Sequence, residues 1–303
     1  MKSVIPEPFA QTIREVYGPA GAEWLARLPA FLAQCAGRWQ LTFGQPFANL
    51  SYNYVLPAGT KTGQPIVLKC GVPNPELTNE IAALTHYDGR GCVRLLEADP
   101  DLGVMLLERL RPGTPLSHLP NDDEATLIAA EVMANLWGSL PAGHTFPTIA
   151  DWGRGFHRLR QTFNGTAGPF PAHLVAQAEQ LYASLTNTMS APVLLHGDLH
   201  HDNILEADHQ NWLAIDPKGL VGEPAYETGA LLRNPGWLFE ASQPHHILSR
   251  RVELLAKALG VDPGRIIGWG LAQAVLSGWW SYEDHGYGWQ PSLTLAQWLA
   301  DLL

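Results

Sequence analysis

Apolar positions repeat along this chain with two different periods. In residues 21–38, Trp24, Leu25, Leu28, Phe31, Leu32 and Cys35 fall on one face of a helix. From Trp39 the pattern shortens. Segments 39–44, 52–57 and 65–71 are brief apolar stretches parted by turn residues, and Gly59-Thr60-Lys61-Thr62-Gly63 reads as a hairpin loop. Residues 75–88 predict a helix, with proline at its first position and Glu76 in its first turn. Two more strands are predicted at 93–98 and 103–110, turning at Asp99-Pro100-Asp101. The charged, Pro/Gly-containing run Glu108-Arg109-Leu110-Arg111-Pro112-Gly113 then marks a boundary. Beyond it helices dominate, predicted over 121–140, 150–163, 171–188, 226–233, 245–259, 265–282 and 292–303. Gly153-Arg154-Gly155 lacks the third glycine and preceding strand of a dinucleotide fingerprint and reads as a loop or helix irregularity.

Short apolar runs return between the helical blocks, and the candidate chemistry gathers there. Leu194-Leu195-His196-Gly197-Asp198-Leu199-His200-His201-Asp202-Asn203-Ile204-Leu205 presents a carboxylate after a glycine turn and leaves through an asparagine. Trp212-Leu213-Ala214-Ile215-Asp216 ends in a second carboxylate. Phosphoryl transfer from a nucleotide needs such a set. One Asp orients the acceptor hydroxyl and takes its proton, while an Asn oxygen and another Asp hold magnesium against the phosphates. The step from Asp198 to Asn203 (203 − 198 = 5) matches the kinase signature H-R-D-x-x-x-x-N. Ile66-Val67-Leu68-Lys69 echoes the strand whose lysine grips phosphates. A lysine ending an apolar strand is ordinarily a solvent-facing edge residue. Glu80 on the following helix raises Lys69 above that reading, because such a pair fixes the lysine in place. His196, His200 and His201 beside two carboxylates also admit a transition-metal site. The flanking apolar strand and the Ile-Asp step favour magnesium held by oxygen. Lys218 stands open between a phosphate contact and a solvated turn.

The segment around Asp198 resembles the catalytic loop of the aminoglycoside phosphotransferase family, whose members share the protein-kinase-like fold. Ala214-Ile215-Asp216-Pro217-Lys218 and Gly222-Glu223-Pro224-Ala225-Tyr226-Glu227 are similar to its streptomycin 6-kinase and hydroxyurea-kinase branch. The likeness covers nearly the whole chain, strongest over 193–234. It implies an α+β, bilobal protein-kinase-like fold, with a small N-terminal antiparallel-sheet lobe for nucleotide (1–110) and a larger, mostly helical C-terminal lobe for catalysis and acceptor binding (111–303). It implies ATP and magnesium between the lobes, with Asp198 catalytic and Asn203 and Asp216 as metal ligands. It places Lys69 and Glu80 at the phosphates, Asn49 and Ser51 in the nucleotide-covering loop, and backbone groups near Glu108 and Leu110 at the adenine. That loop has only Gly44 where protein kinases carry G-x-G-x-x-G, so its phosphate contacts depart from the pattern. In the family the region of Glu227 fixes the catalytic loop to a helix. The implied acceptor is a streptomycin-like aminoglycoside. Choline, homoserine or a sugar are alternative acceptors, and a nucleotide-binding pseudokinase is the non-catalytic alternative. Retention of Lys69, Glu80, Asp198, Asn203 and Asp216 argues against the last. No Ala-Pro-Glu element or long activation segment follows Asp216, which disfavours a protein kinase, and no G-x-S-x-G elbow supports a serine hydrolase.

Charge sharpens the acceptor. Nineteen basic and 29 acidic side chains give 19 − 29 = −10, which disfavours nucleic acid as partner and suits steering of a cationic small molecule into an acidic cleft; without a cleft to focus it, the acidity equally serves solubility alone. Trp279, Glu283 and Asp284, in an aromatic and acidic stretch over 277–289, are the candidate acceptor contacts; the alternative is a core helix followed by a wet aromatic loop. No run of 18 apolar residues predicts a membrane span, and Met1-Lys2-Ser3-Val4-Ile5-Pro6-Glu7 lacks a signal peptide's apolar region. Three isolated cysteines, Cys35, Cys70 and Cys92, fit a reducing cytoplasm. The oligomeric state has no signature in the sequence.

Overall fold

The computed structural model describes residues 5–303, so the first four residues of the N-terminal segment weighed above lie outside the described residues. The chain divides into two compact units. One is Met1–Gly89 with Val93–Arg111, and the other is Arg90–Cys92 with Pro112–Leu303.

The first unit is a helix-backed sheet. Helix α1 runs Glu7–Trp39, longer than the periodicity predicts. It is kinked at Gly18, whose φ of +55° glycine adopts without strain, and Pro19 restarts it. Tyr17-Gly18-Pro19 therefore punctuates a helix instead of preceding one. Strands β1 (Thr42–Phe43), β2 (Tyr54–Gly59), β3 (Pro65–Cys70), β4 (Leu95–Asp99) and β5 (Val104–Glu108) form one antiparallel sheet in the order β1-β2-β3-β5-β4. Phe9, Ile13, Leu28 and Leu32 of α1 share a core with Tyr54, Leu56, Leu68, Val104 and Leu106 of the sheet. Helix α2 (Pro75–Tyr87) starts at Asn74, whose side chain accepts from the Leu77 amide, and ends at Asp88 in the left-handed region. This cap fixes the register that places Glu80 beneath β3.

The second unit is mostly helical. Its helices are α3 (Asp122–Leu136), α4 (Ile149–Thr162), α5 (Ala172–Asn187), α6 (Pro224–Leu232), α7 (Pro244–Leu259), α8 (Pro263–His285) and α9 (Gln290–Ala300). Helix α8 is buried on nearly every face from Ile266 to Leu276, as expected of a helix apolar all round. Two small sheets interrupt the helices. β6 (Pro112–Pro115), β8 (Ile204–Ala207) and β9 (Asn211–Ala214) form one, and β7 (Val193–Leu195) with β10 (Leu220–Gly222) the other. Gly153 and Gly155 lie inside regular α4, correcting the loop expectation. A Cβ at Gly153 would stand 2.5 Å from the Tyr182 ring, and one at Gly155 2.9 Å from Leu276, so both glycines permit close helix packing. Cys35, Cys70 and Cys92 are all buried. No helix among the described residues is long and apolar enough to cross a membrane.

Candidate active site

In the first unit, Lys69 on β3 and Glu80 on α2 form a buried ion pair, Nζ to Oε1 2.6 Å, with side-chain exposures of 3% and 8%. Desolvating two charges costs several kcal/mol per ion, so such a pair adds little net stability. Its use is to hold the ammonium at one place on the strand. Asn49 and Ser51 are exposed in the segment joining β1 and β2. At the end of β5, Glu108 exchanges two hydrogen bonds with Arg94: its carboxylate accepts from the Arg94 amide at 2.7 Å and its own amide donates to the Arg94 carbonyl at 3.0 Å. Leu110 is buried.

The second unit builds the motif from two hairpin-like pairings. Leu195 on β7 opposes Leu220 on β10, and the chain turns at Gly197 with φ +87°. A Cβ there would meet Leu220, Lys218 and Trp152 at 3.2–3.3 Å, so the turn requires glycine on both counts. Glu227, buried in the first turn of α6, accepts from the amides of His196 at 2.6 Å and Gly197 at 2.9 Å. This carboxylate satisfies the donors that the turn would otherwise bury unpaired. Burial pushes the Glu227 carboxyl up to about 7, against the downward pull of those two amides.

His196 is fully enclosed. Its Nδ1 accepts from the Asp198 amide at 3.2 Å, so Nε2 bears the proton and donates to the Ile215 carbonyl at 2.7 Å. Burial lowers its pKa to about 4, keeping the ring neutral, and His201 is pushed down to about 3 chiefly by burial. The imidazole of His196 thus ties the Asp198 turn to the segment entering Asp216. The same two segments meet again where the Ile215 amide donates to the Asn203 carbonyl at 2.9 Å, just beyond the paired strands β8 and β9. Asn203 and Asp216 therefore sit at one end of that hairpin. Asp216 has φ +61°, a left-handed backbone that Asp tolerates better than most residues.

The Asn203 side chain donates from Nδ2 to the Asp198 carbonyl at 3.0 Å. A carbonyl can only accept, so this bond fixes the amide orientation and makes Oδ1 the atom available as a ligand. One amide oxygen and one carboxylate are hard donors suited to magnesium. Among the described residues no group of three or more His, Cys, Asp or Glu side chains is arranged to hold a metal ion.

The Asp198 carboxylate is partly exposed and accepts from Arg233 Nη2 at 3.0 Å, while His200 Nε2 stands 3.9 Å from its other oxygen. Sequence reasoning missed Arg233. Its signal was an arginine capping a helix buried almost throughout, a cation that needs a carboxylate nearby.

The expected acceptor contacts require correction. Trp279 is 2% exposed, with its ring packed against Phe163, Phe170 and Tyr282, and offers no face to a ligand. Glu283 gives both oxygens to Arg158, at 2.7 and 2.9 Å, and Asp284 adds to the field holding that guanidinium protonated. These carboxylates balance a cation of the protein itself.

A sheet with a buried Lys–Glu pair, and a helical unit whose loop presents Asp, Asn and Asp, define a protein-kinase-like phosphotransferase. Solved structures agree on the fold. A choline/ethanolamine kinase family protein from Mesorhizobium loti superposes with TM-score 0.64 at 17% identity, covering 93% of this chain and 94% of its own. A thermostable mutant of an aminoglycoside phosphotransferase in ternary complex with ADP and hygromycin B gives TM-score 0.63 at 15% identity, covering 88% and 97%. Residues 38–285 match the family model for aminoglycoside/hydroxyurea antibiotic resistance kinases, and this chain belongs to that family. It is 32% identical to the streptomycin 6-kinase of Streptomyces glaucescens over 97% of this chain and 96% of that one. It is 34% identical to the hydroxyurea phosphotransferase of Kitasatospora aureofaciens over 92% and 81% respectively. The chain is an ATP-dependent phosphotransferase acting on hydroxyl groups.

Proposed function

We propose that this enzyme phosphorylates a hydroxyl of a cationic, streptomycin-like aminoglycoside with magnesium-ATP in the cytoplasm. The observation that carries the reading is the 32% identity, over nearly the full length of both chains, to a streptomycin 6-kinase, with Asp198 bonded by Arg233 beside the Glu227-anchored turn. Asp198 accepts a hydrogen bond from the acceptor hydroxyl and takes its proton as the oxygen bonds to the γ-phosphorus. The bond between that phosphorus and the β–γ bridging oxygen breaks, and ADP leaves. Lys69, steadied by Glu80, binds the phosphates; Asn49 and Ser51 cover them, and the backbone near Glu108 and Leu110 meets the adenine. Residues 1–110 serve the nucleotide, and 111–303 serve catalysis and the acceptor. Asn203 Oδ1 and Asp216 would hold magnesium, which when bound neutralises charge on the phosphate oxygens.

Acceptor-dependent ADP release over streptomycin, other aminoglycosides, hydroxyurea, choline and sugars tests the reading. Turnover should be highest with a streptomycin-like compound; preference for a neutral or anionic acceptor would overturn it. Activity titrated against free magnesium should shift to higher concentration in Asn203→Ala and further in Asp216→Ala, because the second change removes a full charge from a hard-cation site. Unchanged magnesium curves would place the ligands elsewhere.

A further inference from the structure

With Trp279 buried and Glu283 paired to Arg158, partly exposed indole surface lies one residue away, at Trp280, and on α4, at Trp152. The far edge of the Trp152 indole approaches to 3.3 Å of a Cβ built at Gly197, the residue preceding Asp198. Trp280 meets Trp152 edge to face, with ring centroids 5.4 Å apart at 82°. Gly155 clears the space, since its Cβ would stand 3.3 Å from Trp280 Nε1. Both indoles are half-buried, whereas Trp279, a helical step of about 100° around α8, points into the core.

The carboxylates on the same two helices are already compensated. Glu283 faces Arg158, and Asp151 caps α4 at Thr148 and pairs with Arg154 at 3.0 Å. A cation arriving beside Asp198 therefore meets indole surface more than unpaired charge. Indole rings attract ammonium and guanidinium groups through their π faces and cover the apolar C–H faces of a cyclitol or sugar.

We propose that Trp152 and Trp280 form an aromatic platform that binds and selects the acceptor, a hydroxylated guanidinium or ammonium compound. This rests on the phosphotransferase reading above, and it replaces an acidic pocket with an aromatic one.

The test measures kcat and KM for streptomycin, and KM for ATP, in the wild type and in Trp280→Ala, Trp280→Phe, Trp152→Phe and Glu283→Gln, with thermal melting of each. Trp280→Ala should raise the streptomycin KM about tenfold, the span of a desolvated cation–π contact plus lost apolar cover, and leave the ATP KM in place. Trp280→Phe, which keeps a ring, should fall between it and the wild type, and carries the test if the alanine variant does not fold. Trp152→Phe should raise the streptomycin KM in the same direction. Glu283→Gln should leave the acceptor KM where it is. A merely structural tryptophan would lower kcat and melting temperature without separating the two KM values. Turnover by the wild type with no movement of acceptor KM across the Trp280 variants, or an equal rise in Glu283→Gln, overturns the platform alone. No turnover of any aminoglycoside by the wild type overturns the proposed function and the platform with it.

Discussion

Asp198→Asn should lower kcat by about 10²- to 10⁴-fold, the usual yield of a positioned general base. The substitution isolates the proton-accepting role. Asparagine keeps an oxygen that can accept from Arg233, which now bonds Asp198 at 3.0 Å, so the guanidinium is not left without a partner. The Asp198 amide would still donate to His196 Nδ1, and its carbonyl would still accept from Asn203, because both bonds use the backbone. The loop should therefore stay in place while basicity is lost. Asp198→Ala removes the Arg233 bond as well, so any further fall in kcat from Asn to Ala measures what alignment adds. Nucleotide affinity should survive in both, since the loss belongs to the chemical step. Steady-state kinetics with a separate nucleotide titration decide the matter; turnover near wild type in Asp198→Asn would remove Asp198 from its role.

The residue groupings legible in the sequence are those tied to a fixed local spacing. Asp198 and Asn203 share one loop, and Lys69 and Glu80 lie on a strand and the helix after it, so period and order alone could suggest them. The sheet was legible because its strands are short, apolar and separated by turn residues. Arg233 reaches Asp198 across 233 − 198 = 35 residues through the folding of α6 onto the turn that carries Asp198, and local patterns carry no such distance. The Trp279 expectation failed for a related reason. Composition identified an aromatic stretch correctly, but which indole of Trp279-Trp280 faces inward depends on how α8 packs against α4, where Gly155 makes room for Trp280. Glu283 looked like a free acceptor carboxylate because its partner, Arg158, lies 283 − 158 = 125 residues earlier. Charges counted along a chain say nothing about which are already paired.

Glu227 joins α6 to the turn that carries Asp198 through one buried carboxylate. Removing it in Glu227→Ala leaves the amides of His196 and Gly197 buried without their acceptor, at about 1–3 kcal/mol for each orphaned group. The turn carrying Asp198 should then drift, and a displacement of about 1 Å can lower turnover 10²-fold. Glu227→Gln is the more informative change. It retains one acceptor oxygen but turns an NH₂ toward the second amide, so it should be less stable than the wild type and slower. Its deficit should also depend on pH, with a defined sign. Burial raises the folded-state pKa of Glu227 from 4.5 to about 7. A carboxyl raised in this way favours the folded state most while protonated. That contribution is complete below the unfolded value of 4.5 and is lost as pH rises through about 7. The wild type should therefore lose stability from this group across pH 4.5 to 7, on the order of 3 kcal/mol in total. Glutamine does not titrate, so the gap between wild type and Glu227→Gln should be widest near pH 5 and narrow toward pH 8. Denaturant melts of both proteins across that range measure it. Parallel stability curves would mean that Glu227 is ionised throughout, with the two amides outweighing burial.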